Sequence, residues 1–214
     1  MKHHAIMFDL DGTLLDTLAD IADAANRALT DMGRPTIELG HYRYLVGHGA
    51  RWLIEQALGP QYHHLVDQGV PLFQRYYAQF GSRHTRLYDG IAELLDGLSA
   101  LGLKLAVLSN KPDPATQTVV NTFLKRWRFD AVRGQKNDLP LKPDPAAALL
   151  IADQMAVPSP QWLYIGDTGV DMETARTAGM YAVGATWGFR DRQELLDDGA
   201  QTLIDHPAQL LELV

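Results

Sequence analysis

Cysteine is absent from this chain of 214 residues, which excludes a disulfide framework and thiol catalysis. No apolar stretch approaches the roughly eighteen residues of a membrane span, so no membrane partner is expected. No run of Lys and Arg could track a phosphate backbone, and the formal charge of −7 argues against a nucleic-acid surface. Zinc-like spacing is missing among the eight His residues, since His3-His4 and His63-His64 are merely adjacent pairs. Met1-Lys2-His3-His4 runs straight into an apolar segment and leaves no room for a signal peptide, so a soluble, cytoplasmic protein is the expectation. There is no internal repeat and no low-complexity tract. What remains is a globular composition, 46% hydrophobic and 21% charged, long enough for one large domain or a core with a smaller companion.

The most informative stretch is Phe8-Asp9-Leu10-Asp11-Gly12-Thr13, directly after the apolar run Ala5-Ile6-Met7-Phe8. A short apolar run closed by a turn signal reads as a buried strand. Two acids at its tip are costly unless a cation compensates them. Mg²⁺ is the natural one, because it takes one or two carboxylates and keeps water for the rest of its shell. The alternative is a strand-ending turn in which Asp and Gly serve only the bend.

From Asp16 the period becomes helical: Leu18, Ile21, Ala22, Ala25 and Leu29 share a face, and Gly33-Arg34-Pro35 stops the helix. Helical patterns continue to about Arg83, the last carrying Phe73, Tyr76, Tyr77 and Phe80, a stripe read as core with no ligand. Beyond it strands and helices alternate. Strands are expected at 103–108, around 129–132, at 162–165, at 180–185 and, weakly, near Leu203-Ile204, and a final helix runs through Leu210, Leu211 and Leu213. The alternation predicts an α/β fold, a doubly wound parallel sheet with helices on both faces. Residues 1–15 and 84–214 are then a Rossmann-like core, and 16–83 an inserted, all-helical cap domain.

Ligands of such sheets bind at the carboxyl ends of the strands. Polar residues collect there in four places: Asp9 and Asp11; Ser109-Asn110-Lys111-Pro112; Lys142 in Pro140-Leu141-Lys142-Pro143-Asp144-Pro145; and Gly166-Asp167-Thr168-Gly169-Val170-Asp171. Each has a plain alternative. Ser109 and Asn110 could cap a helix, Lys142 could be a surface lysine, and Asp167 and Asp171 could cap the short helix after them and complement its dipole. All four on one sheet edge is the stronger reading.

These four segments, in this order, resemble the motifs of the haloacid-dehalogenase-like phosphohydrolase superfamily, over nearly the whole chain. The resemblance implies a core strand order of 5-4-1-2-3, with the fourth strand beside the first. It implies Asp9 as the nucleophile and Asp11 as acid and then base. It implies Mg²⁺ held by Asp9, the backbone carbonyl of Asp11, and Asp167, with Asp171 in an outer shell. Ser109, Lys142 and backbone amides near Gly12 and Asn110 would hold the phosphate. A dehalogenase needs no proton donor at position 11, so dehalogenation is not expected. Val46-Gly47-His48-Gly49-Ala50-Arg51, Lys142-Pro143-Asp144-Pro145 and Trp187-Gly188-Phe189 are similar to segments of phosphoglycolate phosphatases. His48 and Arg51 could then meet a substrate carboxylate from the cap; otherwise they are a solvated helix start. The expected activity is a Mg²⁺-dependent phosphatase on a small-molecule phosphomonoester, phosphoglycolate leading, in a monomer or homodimer. The alternatives are a sugar phosphomutase, a phosphatase for a nucleotide or sugar phosphate, and a non-enzymatic binder that kept the fold.

Overall fold

The computed structural model describes residues 3–214. The chain opens with β1 (Ala5–Phe8), whose four residues are fully buried, then β2 (Leu15–Asp16). Helices follow: α1 (Leu18–Asp31), α2 (Leu39–Leu45), α3 (Ala50–Leu58), a 3₁₀ segment (Pro60–Leu65) and α4 (Val66–Phe80). The chain returns through β3 (Arg86–Leu87) and continues as α5 (Ile91–Ala100), β4 (Lys104–Pro112), α6 (Asp113–Phe123) and β5 (Ala131–Gln135). It ends with α7 (Ala146–Gln154), β6 (Trp162–Gly166), α8 (Gly169–Thr177), β7 (Tyr181–Ala185), α9 (Arg192–Asp197), β8 (Thr202–Ile204) and a 3₁₀ segment (Pro207–Glu212).

Six strands form one parallel sheet in the order β5-β4-β1-β6-β7-β8. The expected five-strand order is present, and β8 adds an edge strand. Side chains of β1 alternate between two apolar layers, as the period of two in a strand requires. Ile6 and Phe8 pack with Leu94, Leu95 and Leu98 of α5; Ala5 and Met7 pack with Ile151 of α7 and Met172 of α8. Both faces are therefore covered, which is why β1 and β6 are continuous apolar runs. Among the described residues no helix is long and apolar enough to cross a membrane.

Three local expectations change. β2 and β3, at the two edges of the helical block, pair antiparallel where no strand was expected, Leu15 opposite Leu87, and two residues are too few to show alternation. α9 carries one buried residue, Leu195, so it has no periodic stripe to detect. The last helix is a 3₁₀ segment starting at Pro207, with Leu210 buried.

The two crossings between the helical block and the sheet are tied together by Asp20. It is buried in the first turn of α1, and its carboxylate accepts bonds from the amides of His84 and Thr85, at 3.0 and 2.8 Å, and from Thr85 Oγ1 at 2.7 Å. Hydrogen bonds to a charged acceptor are the strong ones, and buried donors left unpaired are costly. Replacing Asp20→Ala is expected to lower the unfolding free energy by about 3 kcal/mol, read from urea denaturation, with Asp20→Asn losing less.

Candidate active site

Register places the acids. Phe8 of β1 lies opposite Val107 of β4 and Ile165 of β6. The next residue, Asp9, thus emerges beside Leu108 and Gly166, one step before Ser109 and Asp167. This is the point where the strand order reverses, the usual ligand site of such sheets. Carboxylate oxygens of Asp9, Asp167 and Asp171 lie within 4.8 Å of one another, and all three residues are buried.

Lys142 completes the cluster. Its ammonium donates to Asp9 Oδ1 at 2.9 Å, to Asp171 Oδ1 at 2.7 Å and to the Leu108 carbonyl at 3.1 Å. Among the described residues none bonds the other oxygen of Asp9. Asp167 accepts from Thr13 Oγ1 and from the Phe189 amide, each at 2.8 Å. Asp171 also caps α8: its Oδ2 accepts from the Thr168 amide at 3.2 Å and the Thr168 hydroxyl at 2.8 Å. The capping alternative and the site reading therefore both describe Asp171.

Glycines make room for this packing. A Cβ on Gly12 would stand 2.2 Å from Asp167 Oδ2, and one on Gly188 2.2 Å from Asp167 Cβ. Gly12 also holds φ +91°, in the region that side chains avoid. Its amide donates to the Leu15 carbonyl at 2.9 Å. Gly12 is thus committed to the turn and to the close approach of Asp167.

Asp11 departs from the trio. Its two oxygens are gripped by Lys111 Nζ at 2.8 and 2.6 Å, both side chains being buried. Lys111 is a site residue that sequence reasoning passed over. Ser109 is buried beside it, and its Oγ accepts from the Lys111 amide at 3.3 Å. Asn110 is a brace: its Nδ2 donates to the carbonyls of Gly47 and Lys142, each at 2.9 Å, while its Oδ1 accepts from the Lys142 amide at 2.9 Å.

The helical insertion reaches the site through residues 43–50. Arg43 Nε donates to the Phe189 carbonyl at 2.7 Å, and Arg190 Nη2 to the Val46 carbonyl at 3.0 Å. Arg51 is exposed and paired with Asp67 at 2.8 Å, and it does not line the cavity, as in the solvated of its two readings. It projects from the first turn of α3, while Ala50 and Leu53 of that helix line the cavity. His48 stacks near Trp52, ring centroids 4.5 Å apart, and burial and the Arg190 charge disfavour its protonated form. Phe73 and Tyr77, read as core alone, also line the cavity between insertion and sheet, whose volume is about 510 Å³.

Four buried carboxylates, Asp9, Asp11, Asp167 and Asp171, thus face two buried ammonium groups, Lys111 and Lys142. Burial pushes Asp9 from 3.8 up to about 7, against the pull of Lys142 and with a further push from Asp171 and Asp11. Asp167 is held well above the carboxylate range by burial and by Asp171 and Asp9. Burial alone would discharge Lys142, but Asp171 and Asp9 outweigh it and keep the ammonium charged. The donor set is all oxygen, and its excess negative charge fits a hard divalent cation.

A buried cluster of carboxylates able to take a divalent cation, at the carboxyl edge of a doubly wound sheet, suits a hydrolase of phosphoryl-transfer type. The chain belongs to the haloacid dehalogenase-like hydrolase family, whose model matches residues 6–185, and within it to the phosphatase branch as a phosphoric monoester hydrolase. It is 32% identical over 212 residues to the phosphoglycolate phosphatase of Pseudomonas syringae pv. tomato, covering 96% of this chain and 78% of that protein. It is also 32% identical over 209 residues to the phosphoglycolate phosphatase of Xanthomonas campestris pv. campestris, covering 97% and 95%. Among solved structures, a predicted phosphoglycolate phosphatase from Haemophilus somnus superposes with a TM-score of 0.91 at 28% identity, covering 100% of this chain and 98% of that one.

Two outcomes follow from this geometry. Asp9 and Asp167 bind protons more tightly when folded than when unfolded, so in metal-free protein their contribution falls as pH rises above the usual carboxylate range, for Asp9 up to about 7. Mg²⁺ competes with those protons, so thermal melts should show a larger Mg²⁺ stabilisation near about pH 8 than near about pH 5.5. An equal shift at both would contradict the cluster's role. Gly188→Ala, by displacing Asp167, should raise the Mg²⁺ concentration for half-maximal activity roughly 10–100-fold, measured by metal titration of turnover.

Proposed function

We propose that this protein hydrolyses a small phosphomonoester with Mg²⁺ through an aspartyl-phosphate on Asp9, phosphoglycolate being the leading candidate. The observation that carries the reading is the buried meeting of Asp9, Asp167 and Asp171 within 4.8 Å, with Lys142 bonded to two of them. The names of relatives 32% identical support phosphoglycolate.

Asp9, the backbone carbonyl of Asp11, and Asp167 would hold Mg²⁺, which supplies positive charge against the phosphate oxygens when bound. The oxygen of Asp9 not engaged by Lys142 is the one available to attack phosphorus. As that bond forms, the bond from phosphorus to the leaving oxygen breaks, and Asp11 gives this oxygen its proton. Asp11 then takes a proton from water while the water oxygen attacks phosphorus. The bond to Asp9 breaks, and inorganic phosphate leaves. Lys142 and the Ser109 hydroxyl stabilise the equatorial oxygens as charge moves onto them. Asp171 keeps the Lys142 ammonium in place. The helical insertion serves as the cap: residues 43–50, bonded to Asn110, Phe189 and Arg190, cover the strand tips and exclude water.

Asp9→Asn should abolish release of inorganic phosphate from any ester with folding intact by circular dichroism. Asp11→Asn should reduce turnover about 10²- to 10⁴-fold. A chelator should stop the wild type. Phosphate migration within the substrate, with no inorganic phosphate released, would replace hydrolysis by a mutase reaction.

A further inference from the structure

Lys111 is the only cationic side chain lining the cavity between cap and core, among the described residues; the other charged groups there are Asp9 and Asp11. Lys142 lies under Asp9, bonded to Asp171 and to the Leu108 carbonyl. The cap residues expected to meet a carboxylate are poorly placed to supply charge. Arg51 faces solvent with Asp67, and burial keeps His48 toward its neutral form.

Lys111 stands beside the acid that must protonate the leaving oxygen. Two of its three N–H donors are used on the oxygens of Asp11, at 2.6 and 2.8 Å, and the third is on the side of the Tyr77 hydroxyl, which helps hold its charge. Its ammonium also lies 4.5 Å from the centre of the Tyr77 ring, on α4 of the cap. The Tyr77 hydroxyl is buried on the same wall and finds no partner of normal geometry among the described residues. An unpaired buried hydroxyl is costly, so it favours an acceptor arriving with a ligand. The remaining wall is uncharged: Ile21, Leu53, Phe73 and Val119 give it apolar area, and Gln74, Ser82 and Thr118 are among its polar members.

We propose that Lys111 and the Tyr77 hydroxyl form an anion subsite that selects phosphomonoesters whose leaving group carries a carboxylate on the carbon bearing the ester oxygen, that is, phosphorylated 2-hydroxy acids. The leaving oxygen must come within hydrogen-bond reach of Asp11. A carboxylate two bonds further on then falls beside Lys111, which already touches Asp11. Core and cap each give one donor, so the subsite is complete only with the cap seated. This rests on the phosphatase reading above and names the substrate class of that site.

The test compares phosphoglycolate with ethyl phosphate, a neutral leaving group of similar size, in wild type, Lys111→Met, Lys111→Arg and Tyr77→Phe, with Mg²⁺ present. Wild type should prefer phosphoglycolate in kcat/KM. Lys111→Met should lower that preference roughly 10- to 100-fold, mainly through KM, as expected for removal of a charge-assisted bond. Lys111→Arg should retain more of it, and Tyr77→Phe should lower it by about 3- to 10-fold. Glycolate should inhibit ethyl phosphate hydrolysis more weakly in Lys111→Met than in wild type, a readout independent of phosphoglycolate turnover. If Lys111→Met does not fold, the Arg and Phe variants carry the comparison. An unchanged preference in folded variants overturns the subsite, as does a wild type that hydrolyses phenyl phosphate better than phosphoglycolate. A wild type inactive on every ester overturns the phosphatase reading, and the subsite with it.

Discussion

One ammonium group holds the catalytic end of this sheet together. Lys142 Nζ bonds Asp9 on β1 and Asp171 on α8, so two chain segments that would repel each other are joined at their most acidic point. Removing one partner from a buried ion pair typically costs about 3–5 kcal/mol, because the remaining charge stays buried and uncompensated. Even with Lys142 present the balance is incomplete. Asp9 remains lifted to about 7, and Asp167 is lifted well above the carboxylate range. The protein has built a place where negative charge is concentrated further than its own cations can neutralise. That deficit suits a divalent cation.

Such crowding is possible because backbone rather than side chain surrounds the acids. Gly12 and Gly188 flank Asp167, and a Cβ on Gly166 would stand 2.2 Å from Asp171 Cβ. With the acids pressed against peptide units, their remaining freedom is taken by amide and hydroxyl donors: Phe189 and Thr13 for Asp167, Thr168 for Asp171. Trp187 extends the order outward by donating its Nε1 to the Thr13 carbonyl at 3.0 Å. A carboxylate so fixed needs little reorganisation when charge moves at phosphorus, which is how preorganised sites lower barriers.

The parts of this arrangement that could be read from sequence are those governed by short-range rules. A four-residue apolar run before Asp9-Leu10-Asp11-Gly12 specifies both a buried strand and what stands at its tip, since a parallel strand must expose its polar end at one edge. Gly166 and Asp167 after β6 follow the same logic. Lys111 was not legible for a related reason. The apolar pattern of β4 stops at Leu108, whereas the strand runs on to Pro112 past an irregularity in its pairing with β5. Only that continuation carries Lys111 toward Asp11. For Arg51 the sequence left two readings open: its sequence neighbours line the cavity, but a helix turns successive side chains about 100° apart, and position 51 falls on the outer side. Tyr77 shares its helical face with Phe73, and periodicity cannot tell a face packed on protein from a face lining a cavity.

Asn110 links the position of the cap to the chemistry beneath it. Its side chain makes three bonds, one to the cap at Gly47 and two to the backbone of Lys142. Lifting residues 43–50 would therefore leave Asn110 with two partners, both on the segment that presents the catalytic ammonium. The same movement would break the bonds from Arg43 to Phe189 and from Arg190 to Val46. Each such bond is worth about 1 kcal/mol net when water can replace it. A few of them hold residues 43–50 against the sheet edge at a modest energetic cost of release. Gly47 and Gly49 serve the same end, since both hold positive φ and let the backbone lie close over Thr168 and Asn110. The contacts between residues 43–50 and the sheet edge are thus made to backbone carbonyls, whereas the groups proposed to meet an occupant, Lys111 and Tyr77, are adjoining side chains, one from the sheet edge and one from α4.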